Sequence, residues 1–299
     1  MAAQADVDTT VRVREYRVQA LGQQDLDRNY ALATTHLFKW MQAGRMAMPW
    51  LQPGYRALGW LDPPLPRRLV TASQIVRLVR PGVLAEAADN EVVTRCEVGT
   101  VGKTSIEFRY KIFFGELLIG YGNVTMIVMA GTPGSLKPSP VPEVIRALGS
   151  PEPDETRQLM ADALAALPKE PPGDAHINTV VVRYSDEDLN KHANHSTMAR
   201  FFEDAKETIA ADEGAKPDVR TIAQQQLEAI VISYHAEIRA TDELKVSVAT
   251  STPGALDVWV HRRTSNPSGG KPTLVGRGRM VCGGGRVLDS ETLRLKSNL

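Results

Sequence analysis

Cysteine, net charge and long apolar runs are scarce in this chain, and each shortage excludes a class of protein. The only cysteines are Cys96 and Cys282, too few for a disulfide framework and typical of a reducing compartment. Lysine plus arginine and aspartate plus glutamate number 35 each, with no basic block to indicate a nucleic-acid partner. No apolar run reaches the ~18 residues of a membrane span.

The first residues of the chain bear on its location. They lack the basic and apolar regions of a signal peptide. We therefore expect a cytoplasmic protein, with a plastid location left open if a transit peptide is missing from this sequence.

The most informative large-scale feature is an internal repeat within the 299 residues. A D-x-D-x-N triplet begins at Asp25 and again at Asp186, and a G-x-G pair begins at Gly120 and again at Gly276. Strand-like alternation at 11–21 precedes a helical pattern and four further strand-like runs at 70–80, 91–100, 105–115 and 117–130. The same order follows at 177–184, 196–210, 227–240, 244–252, 255–264 and 273–283. The sequence therefore predicts two copies of strand–helix–four strands.

A proline-rich stretch separates the two copies. Residues 131–174 hold nine of the 19 prolines, which favours a linker, and two short helical patterns at 141–148 and 155–167 indicate that it packs on the body. We expect repeats at 1–130 and 175–299 with a linker at 131–174. A second proline-rich excursion at 49–66 either covers a pocket or is a packed surface loop.

The stretch 186–195 concentrates polar chemistry at the junction between a strand and a helix. It contains Asp188, Asn190, His192 and Asn194, and the unpaired N–H groups of a helix start can hold developing negative charge. Such a junction favours acyl chemistry. The alternative is a helix-capping loop with no further role, since Asp and Asn are common caps.

Two motifs resemble those of one enzyme family. Residues 184–194, Y-S-D-E-D-L-N-K-H-A-N, resemble the D-x-D-x-N-x-H-x-N pattern of double-hotdog acyl-acyl-carrier-protein thioesterases. Residues 232–244, I-S-Y-H-A-E-I-R-A-T-D-E-L, resemble the family's E-Y-x-x-E-C-x-x-D strand. The resemblance implies an α+β double-hotdog fold, in which each repeat is a curved antiparallel sheet wrapped around a long helix. It also implies hydrolysis of fatty acyl-carrier-protein or acyl-coenzyme A thioesters without a cofactor or metal.

The sequence departs from the family pattern at several positions. Ile238 replaces the family's cysteine, Ser233 replaces the first glutamate, and Asp242 falls one place late. In the first copy, Ala31 and Ala33 stand where His192 and Asn194 stand in the second. The first repeat is therefore expected to be degenerate, leaving one site per chain.

In line with the resemblance, we assign candidate roles to the second copy. Asp188 and Glu237 share the attacking water, one as general base, and His192 polarises the thioester or shuttles a proton. Asn190 orients water or carbonyl. For substrate binding or loop support we select Tyr184 and Asn194, and Asn194 is also a candidate helix cap.

Other interpretations of these residues stay open. Asp188 could be only a helix-entry cap, Glu237 could face solvent on the convex side of the sheet, and His195 is expected to be a surface or hydrogen-bonded residue. The chain could also be a non-catalytic acyl-binding protein or an enoyl-thioester hydratase, although hydratases place histidine five residues after aspartate rather than four.

Few partners are implied. We expect an acyl thioester held in an apolar tunnel, acyl carrier protein as a potential partner, and neither nucleic acid nor a membrane span. A homodimer through exposed sheet edges is open.

Overall fold

The computed structural model describes residues 13–18, 34–46, 68–79, 91–132, 135–150, 155–187, 191–263 and 272–283. The strands are β1 (Val13–Val18), β2 (Arg68–Leu78), β3 (Val92–Val101), β4 (Ser105–Phe114), β5 (Leu117–Ala130), β6 (Lys137–Pro138), β7 (His176–Val181), β8 (Leu227–Tyr234), β9 (Glu243–Ala249), β10 (Ala255–Arg262) and β11 (Thr273–Cys282). The helices are α1 (Thr34–Met46), α2 (Glu143–Arg146), α3 (Glu155–Ala165), α4 (His195–Ala211) and α5 (Pro217–Ala223). Over these residues, no helix is long and apolar enough to cross a membrane.

The strands form one antiparallel sheet in the order β1-β3-β4-β5-β2-β8-β11-β10-β9-β7, with β6 beside β5. Each half has the same internal order, because β1 through β5 occupy the same relative places as β7 through β11. The halves meet where β2 pairs with β8. The predicted repeat of strand, helix and four strands is therefore present.

Each half packs one long helix against its own strands. The face of α4 predicted from helical spacing is buried, with Met198, Phe202, Ala205 and Ile209 all at most 3% exposed. In α1, Leu37, Trp40 and Met41 recur at helical spacing in the sequence and are likewise buried. The two helices also contact each other, so both halves share one core.

The repeated glycines let the sheet approach these helices. A Cβ on Gly122 of β5 would lie 2.7 Å from Cε of Met41 in α1, and a Cβ on Gly276 of β11 would lie 2.7 Å from Cε of Met198 in α4. Such distances are shorter than van der Waals contact. Each G-x-G pair therefore lies where the long helix of its repeat crosses the last strand of that repeat.

The segment between the repeats packs against the sheet, as its apolar residues predict. Leu159 and Met160 of α3 are buried with Ile75 of β2 and Val231 of β8, which are paired directly across the seam. The linker helix α3 thus covers the junction of the two halves on the face opposite α1 and α4. The proposed limits of the repeats remain a prediction.

Two sequence expectations need correction, and one helix was missed. Strand β7 ends at Val181 rather than at Tyr184, which begins a short 3-10 turn (Tyr184–Asp186). Strand β8 ends at Tyr234 rather than near 240, because a turn tied by Arg239 N–H to the Asp242 carboxylate follows it. Helix α5 was not anticipated. The first-copy residues 25–33 and the excursion at 49–66 lie outside the described residues.

The close approach of β11 to α4 predicts a large effect of one methyl group. In Gly278→Ala the new Cβ would clash with the carbonyl oxygen of Val231 and would lie 2.7 Å from Cε2 of Phe202. We expect the free energy of unfolding to fall by about 1–3 kcal/mol. Chemical denaturation measures this, with Gly173→Ala as the control because its Cβ would meet nothing within 4 Å. Equal stability of the two variants would contradict the packing described.

Candidate active site

The polar stretch chosen from the sequence lies between β7 and α4. The 3-10 turn Tyr184–Asp186 leads to Glu187, which forms an isolated bridge with Ala193. Helix α4 then begins at His195. The bridge closes the base of a loop that carries His192.

His192 and Glu237 are brought together. Nε2 of His192 lies 2.9 Å from Oε2 of Glu237, although the residues are far apart in sequence. The backbone explains the approach, because Ala193 N–H donates to the carbonyl oxygen of Ile238 at 2.7 Å. The residue after His192 is thereby fixed against the residue after Glu237.

Glu237 is not part of a strand, so the strand alternation used to judge its orientation does not apply. Its side chain is 46% exposed, and the same oxygen, Oε2, meets Nε2 of His192 and, at 3.7 Å, Nη2 of Arg239. The carboxylate is therefore reachable from solvent and oriented by two cationic or protonatable partners, an arrangement suited to proton transfer.

The backbone immediately before His192 is in an uncommon conformation. Lys191 has a φ of 60°, in the left-handed region where a non-glycine residue is disfavoured. The next residue, His192, directs its imidazole to Glu237. Asp188 and Asn190, the other two candidate catalytic residues, lie outside the described residues.

Asn194 caps helix α4. Its Oδ1 accepts a hydrogen bond from the N–H of Ser196 at 3.1 Å, which satisfies one of the unpaired groups of the helix start. Its Nδ2 donates to Oε1 of Gln42 in α1 at 3.0 Å. Asn194 thus joins the start of α4 to helix α1 of the other repeat, and its part in loop support or substrate binding remains a prediction.

Asp186 anchors the same loop. Its carboxylate is buried and accepts from Arg183 N–H, while Oδ1 lies 2.8 Å from Nη2 of Arg200 in α4. Its carbonyl oxygen accepts from Asn194 N–H. Tyr184 at the start of the turn is 79% exposed, so its proposed part in binding remains a prediction.

A second contact that holds the start of α4, at the junction of β2 with β8, was not anticipated from the sequence. The hydroxyl of Tyr234 donates to the carbonyl oxygen of His195 at 2.8 Å. The amide of Gln74, a fully buried residue of β2, donates to the same hydroxyl. Gln74 was an unremarkable residue in an alternating strand, and only the β2–β8 register places it beside Tyr234.

His195 was expected to be a surface or hydrogen-bonded residue, and it is half-buried, with its carbonyl oxygen bonded to the Tyr234 hydroxyl. Burial of the ring lowers the pKa of His195 to about 3, with a smaller contribution from the positive charge of Arg45. The imidazole is therefore neutral across the physiological range. His195 supplies its carbonyl oxygen, not a titrating ring, to the site.

The described part of the chain holds no group of three or more His, Cys, Asp or Glu side chains able to bind a metal ion. Cys96 and Cys282 are buried and free, and burial raises the pKa of each thiol to about 12. Neither is a reactive thiolate at neutral pH.

Comparison with solved structures identifies the fold. An acyl-ACP thioesterase from Bacteroides thetaiotaomicron aligns with a TM-score of 0.65 and 14% identity over 92% of this chain and 99% of its own. The 12:0-ACP thioesterase from Umbellularia californica aligns with a TM-score of 0.65 and 14% identity over 91% and 97%. A MaoC-like dehydratase from Phytophthora capsici aligns with a TM-score of 0.50 and 10% identity over 94% and 99%.

These likenesses confirm the α+β double-hotdog fold, which is that of acyl-ACP thioesterases. No protein-family model matches the sequence, and no curated protein matches it either. The reaction must therefore be argued from the site.

The low pKa of His195 predicts an acid sensitivity of the fold. A histidine in the unfolded chain titrates near 6.5, so below that pH the unfolded state binds a proton that the folded state refuses. Stability should fall as the pH drops from about 6.5 towards 3. His195→Gln removes the titrating ring and keeps the carbonyl oxygen. Between pH 7.5 and 5, we expect the free energy of unfolding of His195→Gln to decline less than that of wild type. Denaturant titration at each pH measures this. Identical declines in the two proteins would contradict a ring that stays neutral in the folded state.

Proposed function

We propose that this protein hydrolyses acyl thioesters of acyl carrier protein or coenzyme A to the free acid and thiol. The observation that carries the proposal is the 2.9 Å contact between His192 and Glu237 at the start of α4. The fold shared with acyl-ACP thioesterases adds support, but only as an analogy of architecture.

Glu237 orients the imidazole in this proposal. If the neutral ring carries its proton on Nε2, it donates to the carboxylate, and Nδ1 is left as the basic nitrogen. Nδ1 then takes a proton from the attacking water as its oxygen bonds to the carbonyl carbon. Collapse of the tetrahedral intermediate breaks the C–S bond, and the same proton passes to the departing thiolate.

Asp188 and Asn190 complete the proposed site from the sequence pattern. Asp188 positions the attacking water, a part that the sequence had divided between Asp188 and Glu237, and Asn190 orients water or carbonyl through its amide. At the helix start, the N–H groups of Ser196 and Thr197 already bond to Asn194. The N–H of His195, one position earlier, is therefore the proposed donor to the oxyanion.

Thiol release is the direct test. We expect wild type to release free thiol from a panel of acyl-carrier-protein and acyl-coenzyme A thioesters, and the panel will identify the carrier and the chain length. His192→Ala, Asp188→Ala and Glu237→Gln should each lower kcat by about 100- to 10,000-fold, because each removes a group that moves or directs a proton.

Matched controls separate chemistry from folding. His176→Ala on β7 and Glu213→Gln after α4 replace the same residue types away from the site and should keep wild-type rates. Unchanged hydrolysis in folded His192→Ala would reject the catalytic assignment. Absence of thiol release from every thioester, with tight binding of an acyl thioester, would instead favour a non-catalytic acyl-binding protein.

The dehydratase neighbour makes hydration the second candidate. Hydration removes the conjugated double bond of an enoyl thioester without releasing thiol. The absorbance of the same samples therefore distinguishes hydration from hydrolysis.

The proposal also includes two macromolecular partners, an acyl carrier protein and a second copy of this chain. Arg262 and Arg263, at the end of β10, are candidates to meet an acidic carrier protein. Arg262 lies 3.3 Å from Asp242, and Arg263 pairs with Glu243. Their charges are thus partly neutralised. For a homodimer, the free edge of β7 exposes Ile177 and Val181 and is the surface we propose.

A further inference from the structure

A short turn after strand β8 carries Glu237. Residues 237–242, which we call the Glu237 turn, belong to no helix or strand. Thr241 within this turn has a φ of 72°, in the left-handed region that a β-branched residue rarely adopts. Such a conformation persists only where the surrounding contacts impose it. The contacts of the turn therefore decide where the Glu237 carboxylate lies.

Both ends of the Glu237 turn are tied to neighbouring strands. Thr241 N–H donates to the carbonyl oxygen of Val182 at 2.8 Å, and Val182 N–H donates to the carbonyl oxygen of Asp242 at 3.0 Å. At the other end, Nη1 of Arg262 donates to the carbonyl oxygen of Glu237 at 3.3 Å. The same atom lies 3.3 Å from Oδ2 of Asp242. The ends of β7 and β10 thus hold the first and last residues of the turn.

The middle of the turn is held by the side chain of Glu187. Its Oε1 accepts a hydrogen bond from Ala240 N–H at 2.6 Å, and hydrogen bonds to an ionised acceptor are the stronger kind. The backbone of Glu187 is extended and forms the bridge with Ala193 that closes the base of the His192 loop. One side chain therefore joins the loop that carries His192 to the turn that carries Glu237.

Two hydrogen bonds now connect the loop and the turn. One runs from Ala193 N–H to the carbonyl oxygen of Ile238 at 2.7 Å, and the other runs from Ala240 N–H to Glu187. A single bond would leave the turn free to tilt about it, and a second bond two residues away removes that freedom. A displacement of about 1 Å at a reacting group can cost about 100-fold in rate. The bond to Glu187 therefore bears on any reaction that uses the carboxylate of this turn.

We propose that Glu187 is a positioning residue, which holds the Glu237 turn so that the Glu237 carboxylate stays in contact with Nε2 of His192. The proposal rests on the proposed thioesterase function for its effect on rate. Because the backbone of Ala240 engages its Oε1, Glu187 acts through Glu237 and not on the substrate. The bond needs an acceptor oxygen rather than a charge, and a glutamine side chain supplies one at the same place.

The rates of three variants test the requirement for an acceptor. Glu187→Ala should lower kcat for thiol release by about 10- to 100-fold and leave KM within about 2-fold of wild type. Glu187→Met keeps the length of the side chain without its oxygens and should behave like Glu187→Ala. Glu187→Gln should retain kcat within about 3-fold of wild type, because its amide oxygen still accepts from Ala240 N–H.

Asp212→Ala is the matched control. Oδ1 of Asp212 also accepts a hydrogen bond from a backbone N–H, that of Gly214 at 2.9 Å, but at the far end of α4. This variant should keep the wild-type rate. A second control uses Glu237→Gln as background, in which Glu187→Ala should cause no further loss. Losses that multiply would show that Glu187 acts independently of Glu237 and would overturn the proposal.

A measurement on the ligand-free protein separates positioning from hydrolysis. The nitrogen NMR signal of His192 Nε2 reports its contact with a carboxylate, and Glu237→Ala gives the signal without that contact. Glu187→Ala and Glu187→Met should move the signal of wild type towards that of Glu237→Ala, whereas Glu187→Gln should not. In the two variants that lack the acceptor, Ala240 N–H should exchange with solvent about 10- to 100-fold faster.

The outcomes separate this proposal from the function on which it rests. An unchanged His192 signal in folded Glu187→Ala or Glu187→Met would overturn the positioning role, even if wild type hydrolyses thioesters. A changed signal with wild-type kcat, or an equal loss of kcat in Glu187→Gln, would overturn it as well. A changed signal that Glu187→Gln restores, without thiol release from any thioester, would retain the positioning of Glu237 and reject the hydrolase.

Discussion

The pairing of β2 with β8 is the constraint on which the site depends. Its register sets Gln74 opposite Ile232 and Ile75 opposite Val231, and these two pairs face opposite sides of the sheet. On one side, α3 covers Ile75 and Val231. On the other, Gln74 reaches Tyr234, and helices α1 and α4 contact each other. One backbone register therefore joins two repeats into one core.

The consequence is that the N-terminal repeat contributes to a site whose motif lies in the C-terminal repeat. Gln74 and Gln42 both come from the first half, and both bond to the start of α4, directly or through Tyr234. Within the C-terminal repeat, the bond from Ala193 to Ile238 fixes His192 against Glu237. Pre-positioned side chains of this kind lower the entropic cost of a reaction.

Much of this architecture follows from local patterns. The buried faces of α1 and α4 obey helical spacing, and most strands obey alternation, so Leu37, Met198 and Phe202 were predictable as core residues. Asn194 as a cap follows from its residue type and place. The repeated order of the elements predicted two equivalent units, and the two halves of the sheet have the same internal order.

The remaining features depend on contacts between distant segments. Glu237 reaches His192 because β8 ends at Tyr234, three residues before Glu237. Alternation alone does not reveal where a strand ends. Gln74 and Arg45 look like surface residues of a strand and a helix, yet both are buried. Only the register of β2 with β8 and the contact between α1 and α4 place them beside His195.

The central claim is that His192 and Glu237 act as one catalytic unit. A double-mutant cycle in kcat/KM for thioester hydrolysis tests it most directly, using His192→Ala, Glu237→Gln and the double variant. A unit predicts that the double variant is about as slow as the slower single variant, because the second substitution removes nothing that still functions. Losses that multiply in the double variant would show that the two side chains act independently and would contradict the account.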